Sequence, residues 1–429
     1  CARMKKLFFV IILLTYSTFA QSEFRSNREV IQSGKYYNSE IHFFPASGSF
    51  NVFYIYKISN SQLFFEKISD QFKAGIAVNI EIKDSAGQIV DRGFDKQNVS
   101  TKDFDESNSD QLFINGLIKF NLPKGKYSFF PFISDLISKR ERKLSSIQID
   151  ISDSNLILNP IVINPSVNIC SDESEFYQII NNSSAVPFNQ PSNSLLIPVT
   201  QNNINKLRYS IFSAESSIVK DQVIDEMVFL NNNISICDKN AVLRKSAGQD
   251  SLKYFVIKNF SSRLTESPIK IEIAIDSLNT YKQIFNVDVI WIHKPNSLSD
   301  SEQAIKFLEN IEPKEKVAEL LSKKDYTNTL YQYWKTKDPT PETNYNELMN
   351  EFYSRIDYCE VKFKPISGNS GAKTDRGKIF IKYGSPDTIK RDSDINDKVV
   401  ETWFFKQLNR SFIFIDSDGT GKFQLVGNQ

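Results

Sequence analysis

The stretch that decides the fold begins at Trp334-Lys335-Thr336-Lys337-Asp338-Pro339-Thr340-Pro341 and continues through Asn346-Glu347 and Phe352-Tyr353-Ser354-Arg355. It then reaches Gly371-Ala372-Lys373-Thr374-Asp375-Arg376-Gly377 and closes on Tyr383-Gly384-Ser385-Pro386-Asp387. Each proline disfavours helical geometry at the residue before it, so Asp338 to Pro341 stops a preceding helix. Over roughly Glu342 to Phe363, the residues Tyr345, Leu348, Met349, Phe352, Ile356, Cys359 and Phe363 recur at spacings of three and four. That is the apolar stripe of one long helix. Beyond it Lys378 to Tyr383 reads as a strand, with Asp375 just before it accepting backbone N–H groups in an Asx-turn. The guanidinium of Arg376 suits bidentate pairing with Glu347, Glu351 or Asp387. Gly377 and Gly384 suit positive φ or close backbone approach.

Outward from this core, period 3.6 extends back to Lys294-Pro295-Asn296-Ser297, a linker. Ser299 is placed to cap a first helix, with Glu302 at the capping-box position, and Ala304, Phe307, Leu308 and Ile311 form its stripe. A short helix from Pro313 carries Val317, Leu320 and Leu321, and a third carries Leu330, Tyr333 and Trp334. Strands follow at Val399 to Phe405, Ser411 to Ile415 and Gly421 to Val426, with a hairpin turn at Ser417-Asp418-Gly419.

Upstream of the linker the period is two. Phe50, Val52, Tyr54, Tyr56 and Ile58 share one face of a strand, while Phe53 and Ile55 make the other face partly apolar. Ile76 to Ile82, Gly116 to Leu122, Tyr127 to Phe132 and Ile147 to Ile151 alternate similarly, and the Asp- and Ser-rich segment Asp95 to Asp110 reads as an exposed loop. The turn Leu122-Pro123-Lys124-Gly125-Lys126-Tyr127 is similar to the tyrosine corner of immunoglobulin-like sandwiches. A second β-rich region holds Leu195 to Val199, Leu207 to Phe212, Tyr254 to Ile257, Ile269 to Ile275 and Phe285 to Ile292. The fold class is therefore multidomain, mainly β followed by α+β. Two immunoglobulin-like β-sandwiches (21–153 and 154–294) precede a helical segment that leads into a small antiparallel sheet (295–429).

The length of 429 residues, 40% hydrophobic and 24% charged, fits about two to four folded domains. A formal net charge of +1 gives no electrostatic footprint for nucleic acid. Residues 1–20 read as a signal peptide starting at Met4: Lys5-Lys6 is the basic region, Leu7 to Leu14 the apolar one, and Thr18-Phe19-Ala20 the cleavage site. No later run reaches about 18 apolar residues, so the mature chain carries no expected transmembrane segment. Export makes disulfides permissible. Cys170 and Cys237 share one region and could pair, but buried cysteine often behaves as a small hydrophobe, so free thiols are the favoured reading for these two and for Cys359. His42 and His293 lie far apart, the cysteine spacing matches no zinc pattern, and no cofactor or metal is implied. Nucleophile-elbow, zincin, P-loop and dinucleotide motifs are missing from the sequence.

The order and spacing of the stretch quoted first resembles the GWxTD domain family of bacterial envelope proteins, over about Leu298 to Val426. Leu298, Ala304-Ile305 and Glu401-Thr402-Trp403-Phe404-Phe405 also fall where similar family segments sit. The tryptophan of the name-giving motif is Ala372 here. The resemblance implies an exported, periplasmic, outer-membrane-associated or secreted protein. The signal peptide, the tandem β-domains and the missing catalytic motifs add the expectation of a non-enzymatic scaffold or protein-interaction module with an envelope partner. Its motif residues are Trp334, Asp338, Asn346, Glu347, Tyr353, Arg355, Gly371, Thr374, Asp375, Arg376, Gly377, Tyr383, Gly384, Pro386, Asp387 and Trp403. Two arrangements are open for Asn346, Glu347, Tyr353, Arg355, Asp375 and Arg376: a polar cleft between helix and sheet, or a buried network fixing one on the other. One alternative function is a carbohydrate- or peptidoglycan-directed hydrolase using Glu347 and Asp375. Another is a glycan- or ligand-binding β-sandwich.

Overall fold

The strand Ser49–Ser59 carries apolar side chains on both faces, a pattern that belongs inside a stack of sheets. The computed structural model describes residues 37–110, 112–165, 170, 176–180, 185–190, 192–214, 216–245, 251–276, 281–366 and 368–428. The expected signal peptide lies outside the described residues. Ser49–Ser59 is the middle strand of an antiparallel sheet, between Tyr37–Ala46 and Phe113–Leu122. From one face Phe120 meets Phe129 of a neighbouring sheet at 5.8 Å, and the Tyr56 hydroxyl donates to Asp95 at 2.7 Å. On the other face Phe44 touches Phe53 at 5.8 Å and Tyr254 of a seven-stranded sheet at 6.5 Å. Both Val52 and Phe53 are fully buried. Each contributes about 1.5–3 kcal/mol of hydrophobic stabilisation.

The sheet against the first face is built on Gln71–Asp84, which pairs with Ile89–Thr101 and Gly125–Asp135. This pairing corrects the loop expected over Asp95 to Asp110. The segment is strand as far as Thr101, then a single helical turn α1 (Phe104–Ser107) capped by Asp103. Exposure alternates along that strand, because one of its sides faces solvent. The Tyr127 hydroxyl donates to the Pro123 carbonyl at 2.9 Å and closes the turn before its strand.

The second β-rich region forms the seven-stranded sheet and a five-stranded one. In the latter Ile269, Ile271, Ile273 and Ile275 point into the core, and Ala185–Pro187 joins Lys282–Ile290 in parallel. Buried residues from both β-rich regions form one continuous core, from Tyr37 to Tyr254. By packing, the chain divides into units over residues 1–292 and 293–429. Within the first unit Cys170 and Cys237 form a disulfide, which corrects the free-thiol expectation for that pair; Cys359 is free and buried. Burial explains a lone cysteine, but the fold brings these two to a Cα–Cα distance of 5.8 Å, within bridging range.

The second unit contains α2 (Ser301–Phe307), α3 (Lys314–Ser322), α4 (Tyr326–Lys335), α5 (Glu347–Lys362) and α6 (Asp375–Tyr383). An antiparallel sheet follows in the order Thr388–Ser393, Val399–Phe405, Arg410–Asp416, Phe423–Asn428. Asp300, not Ser299, caps α2, accepting from the N–H groups of Glu302 and Gln303. The long helix begins at Glu347 rather than near Glu342, because Asn346 is its cap, and Leu348 falls on the exposed side. The strand expected over Lys378 to Tyr383 is the helix α6. Its β-branched content favoured a strand, but the Thr374 cap and the burial of Phe380 and Ile381 on one helical face prevail.

The Cys170–Cys237 bridge closes a sequence separation of 67 residues, worth about 4 kcal/mol by loop entropy. Hydrogen-exchange mass spectrometry with and without dithiothreitol should show opening rates rise within residues 37–292 and stay constant within 293–428. Equal protection in both conditions would contradict this.

Candidate functional site

The site is built on a crossing too tight for any side chain. A Cβ on Gly371 would lie 1.9 Å from the Cys359 carbonyl oxygen, and one on Gly377 would lie 2.1 Å from the Gly371 oxygen. The turn Gly371–Lys373 therefore threads between the backbones of α5 and α6. One residue beyond Cys359, the Glu360 carboxylate accepts from the Ser370 hydroxyl and from the N–H groups of Gly371 and Ala372 at 3.3 and 3.1 Å. The Thr374 hydroxyl donates to the Gly371 carbonyl at 2.7 Å, and its oxygen accepts the Gly377 N–H at 3.0 Å, capping α6. Asp375 is the first residue of this helix, where a carboxylate complements the helix dipole. It accepts a backbone N–H, as its residue type implied, but from Leu425 on the last strand at 3.0 Å.

Arg376 lies between the rings of Phe363 and Phe423, with its guanidinium carbon 5.0 and 3.8 Å from their centroids. It donates to Glu401 at 3.2 Å and to the Gly421 carbonyl at 3.3 Å. Glu401, only 2% exposed, also accepts from Trp403 Nε1 at 3.2 Å and Arg391 Nε at 2.8 Å. Burial lowers the Arg376 guanidinium from its ordinary value, and the Glu401 charge opposes that shift. Glu401 therefore replaces the partners expected for Arg376. Glu351 pairs with Arg355 at 2.7 Å, Glu347 accepts the Thr340 hydroxyl at 2.6 Å, and Asp387 accepts the Lys406 N–H at 2.7 Å. Sequence reasoning assigned no role to Glu360 or Glu401. The available signal for Glu401 was its parity with Trp403 and Phe405, which turns a carboxylate inward on an alternating strand.

The remaining motif residues serve local structure. Asn346 caps α5 through the Met349 N–H at 2.8 Å and donates to the Trp334 carbonyl at 2.9 Å. The Tyr353 hydroxyl donates to the Ala304 carbonyl at 2.9 Å, with Trp334 Nε1 at 3.4 Å, and burial raises its pKa. Asp338 accepts the Thr340 N–H at 3.0 Å. Arg355 donates to the Ile381 carbonyl at 2.9 Å and passes close to Gly384, whose φ of 80° ends α6. Tyr383 stacks on Phe412 at 5.3 Å, just before the Gly384-Ser385-Pro386 turn. Trp334 and Trp403 are buried. Among the described residues no hydrogen bond or shared partner joins Glu347 to Asp375, and no group of three His, Cys, Asp or Glu is placed to hold a metal ion.

Polar groups of the motif reach solvent in a cleft of about 480 Å³ beside the turn. Lys373, Thr374, Asp375, Lys422 and Gln424 line it, with Phe423 at its floor. Ile366, 83% exposed, sits between the lining residues Pro365 and Gly368. Ala372 is fully buried behind the turn. Among the described residues no helix is long and apolar enough to cross a membrane.

A family model described as the GWxTD domain matches residues 276–426, so the chain carries a GWxTD domain over that segment. No curated protein matches the chain. The C-terminal domain of AspA, a Streptococcus pyogenes antigen I/II-family protein, is one solved structure it matches. That alignment covers 59% of this chain and 99% of the other, at 9% identity and a TM-score of 0.17, too low to carry an argument.

Two substitutions and one labelling experiment test the crossing. Gly371→Ala drives a methyl into the Cys359 carbonyl and should cost about 3 kcal/mol in urea unfolding. Glu401→Gln weakens the pairing of a buried guanidinium and should cost up to about 3–5 kcal/mol. Burial pushes the Cys359 thiol up to about 12. Iodoacetamide at pH 8 should therefore leave it unmodified in the folded chain and alkylate it in urea; rapid labelling of folded protein would contradict the packing.

Proposed function

We propose that this GWxTD-domain protein is exported to the cell envelope and acts there as a non-enzymatic protein-interaction module. The observation that carries the reading is how the motif spends its polar groups. Glu360, Thr374, Arg376 and Glu401 bond internally and hold the turn, while Lys373 and Lys422 line the neighbouring cleft and exposed Ile366 follows the lining residue Pro365 in sequence. A catalytic centre keeps groups free for substrate, whereas a braced turn beside a basic, partly apolar cleft suits docking. Its partner would be an envelope or outer-membrane protein presenting an acidic segment with an apolar side chain.

Export is supported by the signal-peptide pattern at residues 4–20 and by the Cys170–Cys237 disulfide, a bond favoured in oxidising compartments. In this reading the two β-rich regions are immunoglobulin-like sandwiches that act as spacers or docking surfaces. No specific observation favours the hydrolase alternative, since Glu347 and Asp375 are each engaged by a different element.

The test is a crosslinking pull-down from fractionated cells, comparing wild type with the Lys373→Glu/Lys422→Glu double variant after circular dichroism confirms folding. Wild type should capture a discrete envelope protein that the variant loses. Identical partners for both would remove the cleft from the interface, and recovery of mature chain in the cytosol would sink export.

A further inference from the structure

The first unit contains a cleft of about 500 Å³, a volume typical of small-molecule sites. It opens beside the edge strand Tyr37–Ala46, which places Glu40 and His42 two residues apart on one face. His42 is 3% exposed, and neither ring nitrogen has a hydrogen-bond partner among the described residues. Glu40 Oε2 lies 3.7 Å from His42 Nε2, beyond hydrogen-bonding range. A buried imidazole left in this state costs about 1–3 kcal/mol per unsatisfied group, which a ligand group can recover. Three amide side chains, Gln148, Asn159 and Asn286, line the same cleft. Apolar walls come from Val186, Leu195, Ile271 and Phe285, contributed by several strands.

We infer that this cleft binds a small, neutral, hydroxyl-rich molecule of saccharide size. The donor set selects that class. A carboxylate only accepts, a neutral imidazole donates at one nitrogen and accepts at the other, and an amide does both. A hydroxyl group, itself donor and acceptor, satisfies each of them. The C–H face of a sugar ring packs on the aliphatic walls and Phe285. An anion would meet the Glu40 charge, and a purely apolar ligand would leave the His42 ring nitrogens desolvated without compensation. A metal ion finds no third protein ligand among the described residues. This site lies wholly within residues 39–287 and is independent of the docking cleft beside the GWxTD motif.

Saturation-transfer difference NMR of the full chain tests it, with methyl glucoside, methyl galactoside, N-acetylglucosamine and cellobiose as probes. At least one should give a signal in wild type, and Glu40→Gln and His42→Gln should each weaken its affinity about tenfold. Asn286→Trp, at an exposed position on the cleft wall, should block the signal without touching the core and covers the case in which the buried variants fail to fold. No signal from any probe in wild type would overturn the inference. So would a signal that survives Asn286→Trp and either folded variant, or fluorescence showing that only the apolar dye 1-anilinonaphthalene-8-sulfonate binds.

Discussion

The C-terminal unit depends on one contact, the Gly371 Cα against the Cys359 carbonyl. Because no Cβ fits there, the turn lies directly on α5, and everything beside it follows. Glu360 is brought under the turn's N–H groups, Thr374 is set to cap α6, and Gly377 lets that helix close on the turn. The orientation of α6 then decides that Arg376 enters the space between Phe363 and Phe423 and reaches Glu401. A charge placed there must be paired, since desolvating a guanidinium alone is costly. The geometry of the motif is thus a consequence of backbone proximity more than of any single strong bond.

The first unit is governed by a different constraint, a sheet covered on both sides. Val52, Tyr54 and Tyr56 pack toward one neighbour, while Phe44 and Phe53 pack toward another. Polar residues of this sheet reach solvent at Lys119 and Asn121 on one outer strand, but His42 on the other outer strand is buried. His42, buried with both ring nitrogens unsatisfied, is costly to keep there, and its position beside a cleft gives that cost a chemical use.

Much of this architecture was legible in the chain. The period-two alternation of Ile269 to Ile275, the three-and-four spacing from Tyr345 to Phe363, and the glycines of the GWxTD motif each correspond to an observed element. What misled was local propensity. Lys378 to Tyr383 is rich in residues that suit strands, and Asp95 to Asp110 in residues that suit loops. In both places packing and pairing partners distant in sequence overrode the local preference. The candidate carboxylates show the same limit. Residue type marked Asp375 as a backbone acceptor, but only the fold shows that its donor is Leu425, fifty positions away.

The sequence by itself determined the main periodicities and much of the turn chemistry, because these depend on neighbours a few residues apart, and its motif order carried the family resemblance of the C-terminal segment. Tertiary structure decided which charges pair, which cysteines join, and which polar side chains are buried. Arg376 with Glu401, Cys170 with Cys237 and His42 beside its cleft all arise from elements far apart along the chain. Such encounters are set by how whole sheets and helices pack, and no local pattern encodes them.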